Sequence, residues 1–329
     1  MNPLRFGVVG TGHLGSAHAR ILSEIPDVEL AGIHDANATT GIAVAERIGT
    51  THFDELGALL DRSDAVIVAV TTSAHHAVAR DALDSGCHVL VEKPLTPTIE
   101  EADDLIGKAD QNGLFLGVGH VERFNPAIRA CRPYLNDPRF LACQRLATFQ
   151  PRGTDVPVML DLMIHDIDLV LGLVDSEVES VHAIGVPLLT DSVDMANARI
   201  VFVNGAVADI SASRASAVRA RELRLFQPSG YFSLDLAAGR GEYLRRRAEV
   251  DPAEVFRAGG APDLSLATIV ERVAIESEPA EPLRLELEAF RDVILGRPSD
   301  AATARDGRAA LEVALRIGQE IERSAHVTV

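Results

Sequence analysis

Three groupings along this chain have residue types and spacings that could do chemistry. The first is Gly10-Thr11-Gly12-His13-Leu14-Gly15, which closes an apolar run. Its glycines have separate uses: the first allows a tight turn, the second lets the backbone approach a pyrophosphate, and the third lets a helix pack closely on a strand. The second is His88-Val89-Leu90-Val91-Glu92-Lys93-Pro94, an apolar strand that ends on a lysine. The third is Asp161-Leu162-Met163-Ile164-His165, a carboxylate and an imidazole at i, i+4. Removing hydride from a secondary alcohol requires that its hydroxyl proton leave as the C–H bond breaks. An imidazole suits that proton because it titrates near neutrality. An ammonium beside the same oxygen stabilises developing alkoxide charge. A dinucleotide cradle, a cation at a strand end and a carboxylate–imidazole pair together describe hydride transfer at an alcohol carbon.

The elements that must position these groups are of two kinds. Residues 4–10 read as a strand and 13–25 as a helix ended by Pro26. Residues 28–34 are a second strand, and 36–48 a helix stopped by Gly49. The run 64–70 is nearly all apolar, as in a parallel sheet covered on both faces. A crossover helix over 74–85, with Gly86 as its C-cap, leads to a strand at 88–91. Thr98-Ile99-Glu100-Glu101 is a capping box for a helix that ends near Gly113, before a strand over 114–119. This α/β alternation predicts a Rossmann-type doubly wound parallel sheet.

Beyond about residue 122 the pattern changes. Residues 140–150 read as a strand and 158–173 as a helix. Strands at 196–203 and 206–213 flank Asn204-Gly205, a two-residue hairpin signal, and 222–226 and 231–236 flank Pro228-Ser229-Gly230. A polar stretch around 239–260 reads as loop, and 283–295 and 305–321 as helices separated by Gly296-Arg297-Pro298. The expectation is a dinucleotide-binding domain at 1–122 and an α/β domain with an antiparallel sheet at 123–329.

A net charge of −17 argues against a nucleic-acid partner, which needs a basic surface. An anionic cofactor remains compatible, because helix N-termini and a few cations hold it locally. No apolar run approaches the ~20 residues that span a bilayer, and no signal segment opens the chain, so no membrane role is expected. Cys87, Cys131 and Cys143 lack CxxC spacing and suit a reducing cytoplasm.

The helix beginning near His13 and Leu14 aims unpaired N–H groups at the cradle. Asp35 ends the second strand, twenty positions after Gly15, where an acid receives adenosine ribose hydroxyls. A carboxylate there repels a 2′-phosphate, so NAD is expected rather than NADP. Thr71 and Thr72 follow the third strand, at the edge where such folds bind ligands, with His75 one turn on; the alternative is that they only cap the next helix. Glu92 is assigned to the same cofactor-facing edge. Lys93, Asp161 and His165 are the candidate catalytic groups and substrate contacts. His120 and Arg123, where the chain leaves the parallel sheet, and Arg152, in a polar segment before the Asp161 helix, are further candidate substrate contacts. His75-His76 in tandem cannot both face one site, and no further ligand arrives at metal spacing, so no metal is expected.

Together the glycine loop, Glu92-Lys93-Pro94 and the Asp161/His165 pair resemble the glucose–fructose oxidoreductase, inositol dehydrogenase and rhizopine-catabolism (Gfo/Idh/MocA) family, over essentially the whole chain. The resemblance implies a Rossmann domain followed by an α/β domain whose large, mainly antiparallel sheet builds homodimers or homotetramers. It also implies that the last helix returns to pack on the first domain, and that Lys93 and His165 are catalytic, with Asp161 assisting. Met163 stands where many members carry glycine. The segments Val118–Pro126 and Asp161–Leu169 most resemble those members that oxidise the 3-hydroxyl of UDP-N-acetylglucosamine, and Arg152 would suit its diphosphate. A dehydrogenase of a free sugar, inositol or related polyol, and a non-catalytic NAD-binding regulator, are the alternatives.

Overall fold

The computed structural model describes residues 3–149, 156–249 and 266–326, and divides into two compact units. The first takes Met1–Phe124 with Ala280–Val313, the second Asn125–Pro279 with Ala314–Val329. Among the described residues no helix is long and apolar enough to cross a membrane.

In the first unit β1 (Leu4–Val9), β2 (Val28–His34), β3 (Ala65–Val68), β4 (His88–Glu92) and β5 (Leu116–Gly119) form a parallel sheet in the order β2-β1-β3-β4-β5. β3 and β5 are buried at every position, because helices cover both faces. Those helices are α1 (His13–Leu22), α2 (Ala38–Ile48), α3 (Leu56–Leu60), α4 (Thr72–Asp84) and α5 (Ile99–Asn112). Asn37 caps α2 by accepting from Thr40 N, which starts that helix two residues after Ala36. Thr98 accepts from Glu101 N, as the capping box requires. The five-residue α3 lies outside the sequence expectation; it is too short to show a helical period. Strand order reverses direction between β1 and β3, so the loops after these two strands flank the switch point where such sheets bind ligands.

The first unit also gathers α8 (Pro282–Ile294) and the opening of α9 (Ala304–His326). Phe290 of α8 meets Phe6 of β1 edge-on, with ring centroids 5.7 Å apart at 84°. Leu287 and Phe290 are both fully buried in the core with Ile21 and Ile33. That burial, worth roughly 2–3 kcal/mol per side chain, is why α8 belongs with the sheet that precedes it in the chain. Gly307 of α9 packs on Val118, where a Cβ would come within 2.4 Å.

In the second unit β6 (Phe140–Leu146), β7 (Val178–Val186), β8 (Met195–Phe202), β9 (Val207–Ser213), β10 (Ala220–Gln227), β11 (Gly230–Asp235), β12 (Arg240–Arg246) and β13 (Val270–Ile275) form one sheet, ordered β13-β12-β11-β10-β6-β9-β8-β7. All neighbours are antiparallel except β6 and β9. The Asn204-Gly205 turn joins β8 to β9 with Gly205 at φ +81°. One face alternates Leu141 and Cys143 on β6, Ile210 and Ala212 on β9, and Leu223 and Leu225 on β10, all buried. It is covered by α7 (Ile164–Val174), which contacts β6 and β9. α6 (Pro126–Cys131) opens this unit. Two sequence expectations change here. Residues 240–246, read as loop, are β12: its apolar content is little more than Tyr243 and Leu244, but cross-strand pairs Arg245–Glu271 and Arg272–Glu242 satisfy its charges. The single helix expected over 158–173 opens instead as a π-helical turn, Met159–Met163, before becoming α-helical.

Candidate active site

The glycine loop has the geometry its sequence demands. Gly10 sits at φ +85°, and a Cβ there would lie 2.5 Å from Ala69 O on the loop after β3. At Gly15 a Cβ would lie 1.8 Å from Gly10 O. Gly12 differs, because a Cβ there would meet nothing within 4 Å. Two glycines therefore close the turn, and the third leaves space that a side chain would fill. Gly12 is also the N-cap of α1, so the free N–H groups of the first turn face the cradle, with His13 and Leu14 exposed beside it.

Asp35 reaches the same loop. Its Oδ2 accepts from Thr11 N and Thr11 Oγ1, both at 2.7 Å, and its Oδ1 from Asn37 N at 2.8 Å. Burial pushes this carboxyl up, but the Thr11 and Asn37 hydrogen bonds outweigh it and hold the group below its usual range. A fixed negative charge thus stands at the end of β2, as a ribose-binding acid must. Thr71 holds the N-cap position of α4, yet its side chain makes no capping bond and is exposed. Thr72 is half-buried in the first turn. The open space at Gly12 beside the first turn of α1, and the ionised Asp35 at the end of β2, fit a dinucleotide.

His75 is turned into the first unit. It is 1% exposed, with Nδ1 2.9 Å from Pro94 O and Nε2 3.2 Å from Val70 O. Burial lowers its pKa, so the neutral ring donates to one carbonyl and braces α4 against the segments that follow β3 and β4. Glu92 also turns inward. Its Oε1 lies 2.7 Å from Nε2 of His18, a fully buried residue of α1, and its Oε2 accepts from Lys93 N at 3.3 Å. Burial pushes the Glu92 carboxyl up, but the His18 hydrogen bond and the nearby charges of His18 and Lys93 hold it below its usual value. Lys93 itself is half-buried at the end of β4. His18 escaped sequence reasoning because a histidine between Ala17 and Ala19 on a helix reads as packing. Its only signal was position, on the buried side of α1 three residues beyond Gly15.

His120 is 1% exposed, just after β5. Arg123 Nη1 lies 3.4 Å from Asp306 Oδ2, which also accepts from Thr303 N at 2.8 Å and Thr303 Oγ1 at 2.7 Å. Burial raises the Asp306 carboxyl, but Arg123 and Thr303 outweigh it and keep it ionised at the start of α9. Arg152 lies outside the described residues.

The second unit carries a cavity of about 730 Å³ lined by both Asp161 and His165. Asp161 comes from the π-turn and His165 from the first turn of α7, and both are half-buried. Single π-turns inside helices occur often at functional sites, because they re-aim the side chains around them. Asp166 does not line the cavity but makes a buried two-pronged pair with Arg145, which does, at 2.8 and 2.9 Å. Arg214, Arg219 and Arg221 line the cavity with Arg145, and sequence reasoning named none of the four. Another cavity, about 540 Å³, lies at the opposite edge of the parallel sheet, near Leu4, Asp64 and His88, where the strands begin. It lies away from the carboxyl ends at which such sheets bind ligands.

Residues 4–120 match the model of the oxidoreductase family with an NAD-binding Rossmann fold, and residues 134–232 match the Gfo/Idh/MocA C-terminal domain. The chain is 38% identical over 320 residues to a UDP-N-acetylglucosamine 3-dehydrogenase of Acidithiobacillus ferrooxidans, covering 97% of each chain. A solved structure of that enzyme superposes with a TM-score of 0.87 at 37% identity, covering 98% of this chain and 99% of the other. A scyllo-inositol 2-dehydrogenase (NAD(+)) of Bacillus subtilis is 29% identical over 65% of this chain and 68% of its own. With both domain models matched in order and a relative 38% identical over nearly the whole chain, the chain belongs to the Gfo/Idh/MocA family of NAD-dependent oxidoreductases.

Proposed function

We propose that this oxidoreductase oxidises the 3-hydroxyl of a UDP-N-acetylhexosamine to the ketone. The observation that carries the reading is the Asp161/His165 pair lining a cavity rich in arginine, in a chain so similar to a UDP-N-acetylglucosamine 3-dehydrogenase along its whole length. His165 takes the hydroxyl proton as the C–H bond breaks, and Asp161 orients the ring and favours its protonated form. The Lys93 ammonium stabilises the oxygen as negative charge develops on it. NAD, which the Gly10–Gly15 loop and Asp35 would hold, would supply the hydride acceptor.

The direct test is NADH absorbance on mixing the protein, NAD and UDP-N-acetylglucosamine, beside a panel of free sugars and inositols. Growth with the sugar nucleotide and none with the polyols is the expected result. Turnover of the polyols alone would replace the substrate; silence throughout would remove the catalytic reading.

Self-association belongs to the same reading. The face of the eight-stranded sheet opposite α7 carries the cluster Phe140, Phe226 and Tyr231, with neighbouring ring centroids 5.9 and 5.0 Å apart, and exposed Ile184 and Val186. An apolar face of this kind supports a homodimer or homotetramer, and sedimentation equilibrium reads the number. Three buried free thiols, Cys87, Cys131 and Cys143, agree with a reducing cytoplasm.

A further inference from the structure

Strand register brings the cavity's arginines together. Arg145 and Arg221 stand directly opposite each other on β6 and β10, and both fall on the covered face, in the same rows as Cys143 and Leu223. Arg214 continues the row of Ile210 and Ala212 beyond the end of β9, and Arg219 lies two residues before Arg221. Like charges directly opposite on a sheet are destabilising. The chain as a whole carries a net charge of −17, so four arginines around one cavity run against its composition.

The four divide into two pairs. Arg145 is held by Asp166, and Arg214 donates to Val156 O with its Nε 3.8 Å from Asp194. These two are buried and form the floor. Arg219 and Arg221 are exposed above them, with Arg219 Nε 3.3 Å from Thr148 Oγ1. Arg219 immediately precedes β10 and Arg221 is its second residue, and both line the same cavity. One fork pairs with one phosphoryl group through two parallel hydrogen bonds.

We propose that Arg219 and Arg221, over the floor of Arg145 and Arg214, form a subsite for the diphosphate of a nucleotide-linked sugar in the cavity that holds Asp161 and His165. The proposal rests on reading that cavity as the substrate pocket and names the substrate group it grips. A neutral polyol has no use for it, and a single phosphate engages one fork.

The test uses the NAD-saturated enzyme, so that the glycine loop cannot take up the probe. Calorimetric titration with UDP, inorganic pyrophosphate, glucose 6-phosphate and N-acetylglucosamine is compared with the same titrations of Arg219→Ala and Arg221→Ala. Tighter binding of UDP and pyrophosphate than of glucose 6-phosphate is expected. UDP affinity should fall at least tenfold in each variant, with Arg221→Lys recovering only part, and should weaken with salt. In turnover, KM for UDP-N-acetylglucosamine should rise at least tenfold, with a smaller effect on kcat. Unchanged NADH binding in the variants shows that they are folded. Equal UDP affinity in wild type and both variants, or tighter binding of glucose 6-phosphate than of UDP, overturns the subsite. Arginine-dependent UDP binding without sugar-nucleotide oxidation removes the proposed substrate and leaves the subsite standing. Oxidation with unaltered KM in both variants does the reverse.

Discussion

The two binding regions of this protein are made of different materials. In the first unit the surface is backbone: Gly10, Gly12 and Gly15 act through the Cβ atoms they lack, and α1 contributes the N–H groups of its first turn. In the second unit the surface is side chain: Asp161, His165 and four arginines, brought to one cavity by a π-turn and by the pairing of β6 with β10 and β9. The cradle is closed by backbone contacts of the loop itself and of Gly10 with Ala69 on the loop after β3, while the cavity draws on side chains of paired strands, such as Arg145 and Arg221. A backbone site suits a cofactor whose pyrophosphate never varies. A side-chain site can be rewritten one residue at a time, which is what substrates of different chemistry require.

That division predicts separable losses. His165→Ala and Lys93→Met should each lower kcat by about 100- to 10,000-fold while NADH binding, followed by fluorescence titration, stays within a factor of three. Equal loss of NADH binding in His165→Ala would break the comparison. Gly15→Ala drives a Cβ into Gly10 O and should cost about 3 kcal/mol or more of stability together with NAD binding. Gly12→Ala meets no protein atom, so its melting temperature should be that of wild type while NADH affinity falls at least tenfold. Thermal scans with and without NADH separate the two.

His18→Ala leaves the Glu92 carboxylate buried without its imidazole partner, for a loss of about 1–3 kcal/mol in chemical denaturation. His18→Asn, which can still donate, should recover part of it. The smallest effect concerns Asp194, fully buried, whose Oδ2 accepts from Leu188 N and Thr190 N at 2.8 Å. Burial raises this carboxyl, but the backbone donors of Leu189, Thr190 and Leu188 outweigh it and hold it at about 2. Because the folded value lies below the unfolded one, near 3.8, its contribution is full above pH 4 and is lost as pH falls through 2. Asp194→Asn should therefore be less stable than wild type by about 2 kcal/mol at pH 7, with the gap narrowing in acid. A gap that stayed constant from pH 7 to pH 2.5 would assign the effect to shape rather than charge.

Much of the fold was legible because its signals are local. An apolar run with a glycine loop, an Asn204-Gly205 turn and the Thr98 capping box each state their structure within a few residues. β12 was not legible, since a strand stabilised by paired charges at one side of a sheet carries no apolar alternation. Of the candidate site residues, Asp161 and His165 do line one cavity, while His75 and Glu92 turn inward to brace Pro94 and His18. A histidine or glutamate beside a ligand loop looks the same in sequence whichever way its side chain rotates.

The amino-acid sequence by itself determined the parallel sheet, the cradle that needs three glycines, and the order of the reactive groups along the chain, because each depends on backbone sterics and short-range periodicity. Only the tertiary structure decided that His18 lies under Glu92 and that Arg145, Arg214, Arg219 and Arg221 share a cavity. Those neighbours are set by strand register and helix packing, and shifting a strand by one residue would send the same arginines to the opposite face.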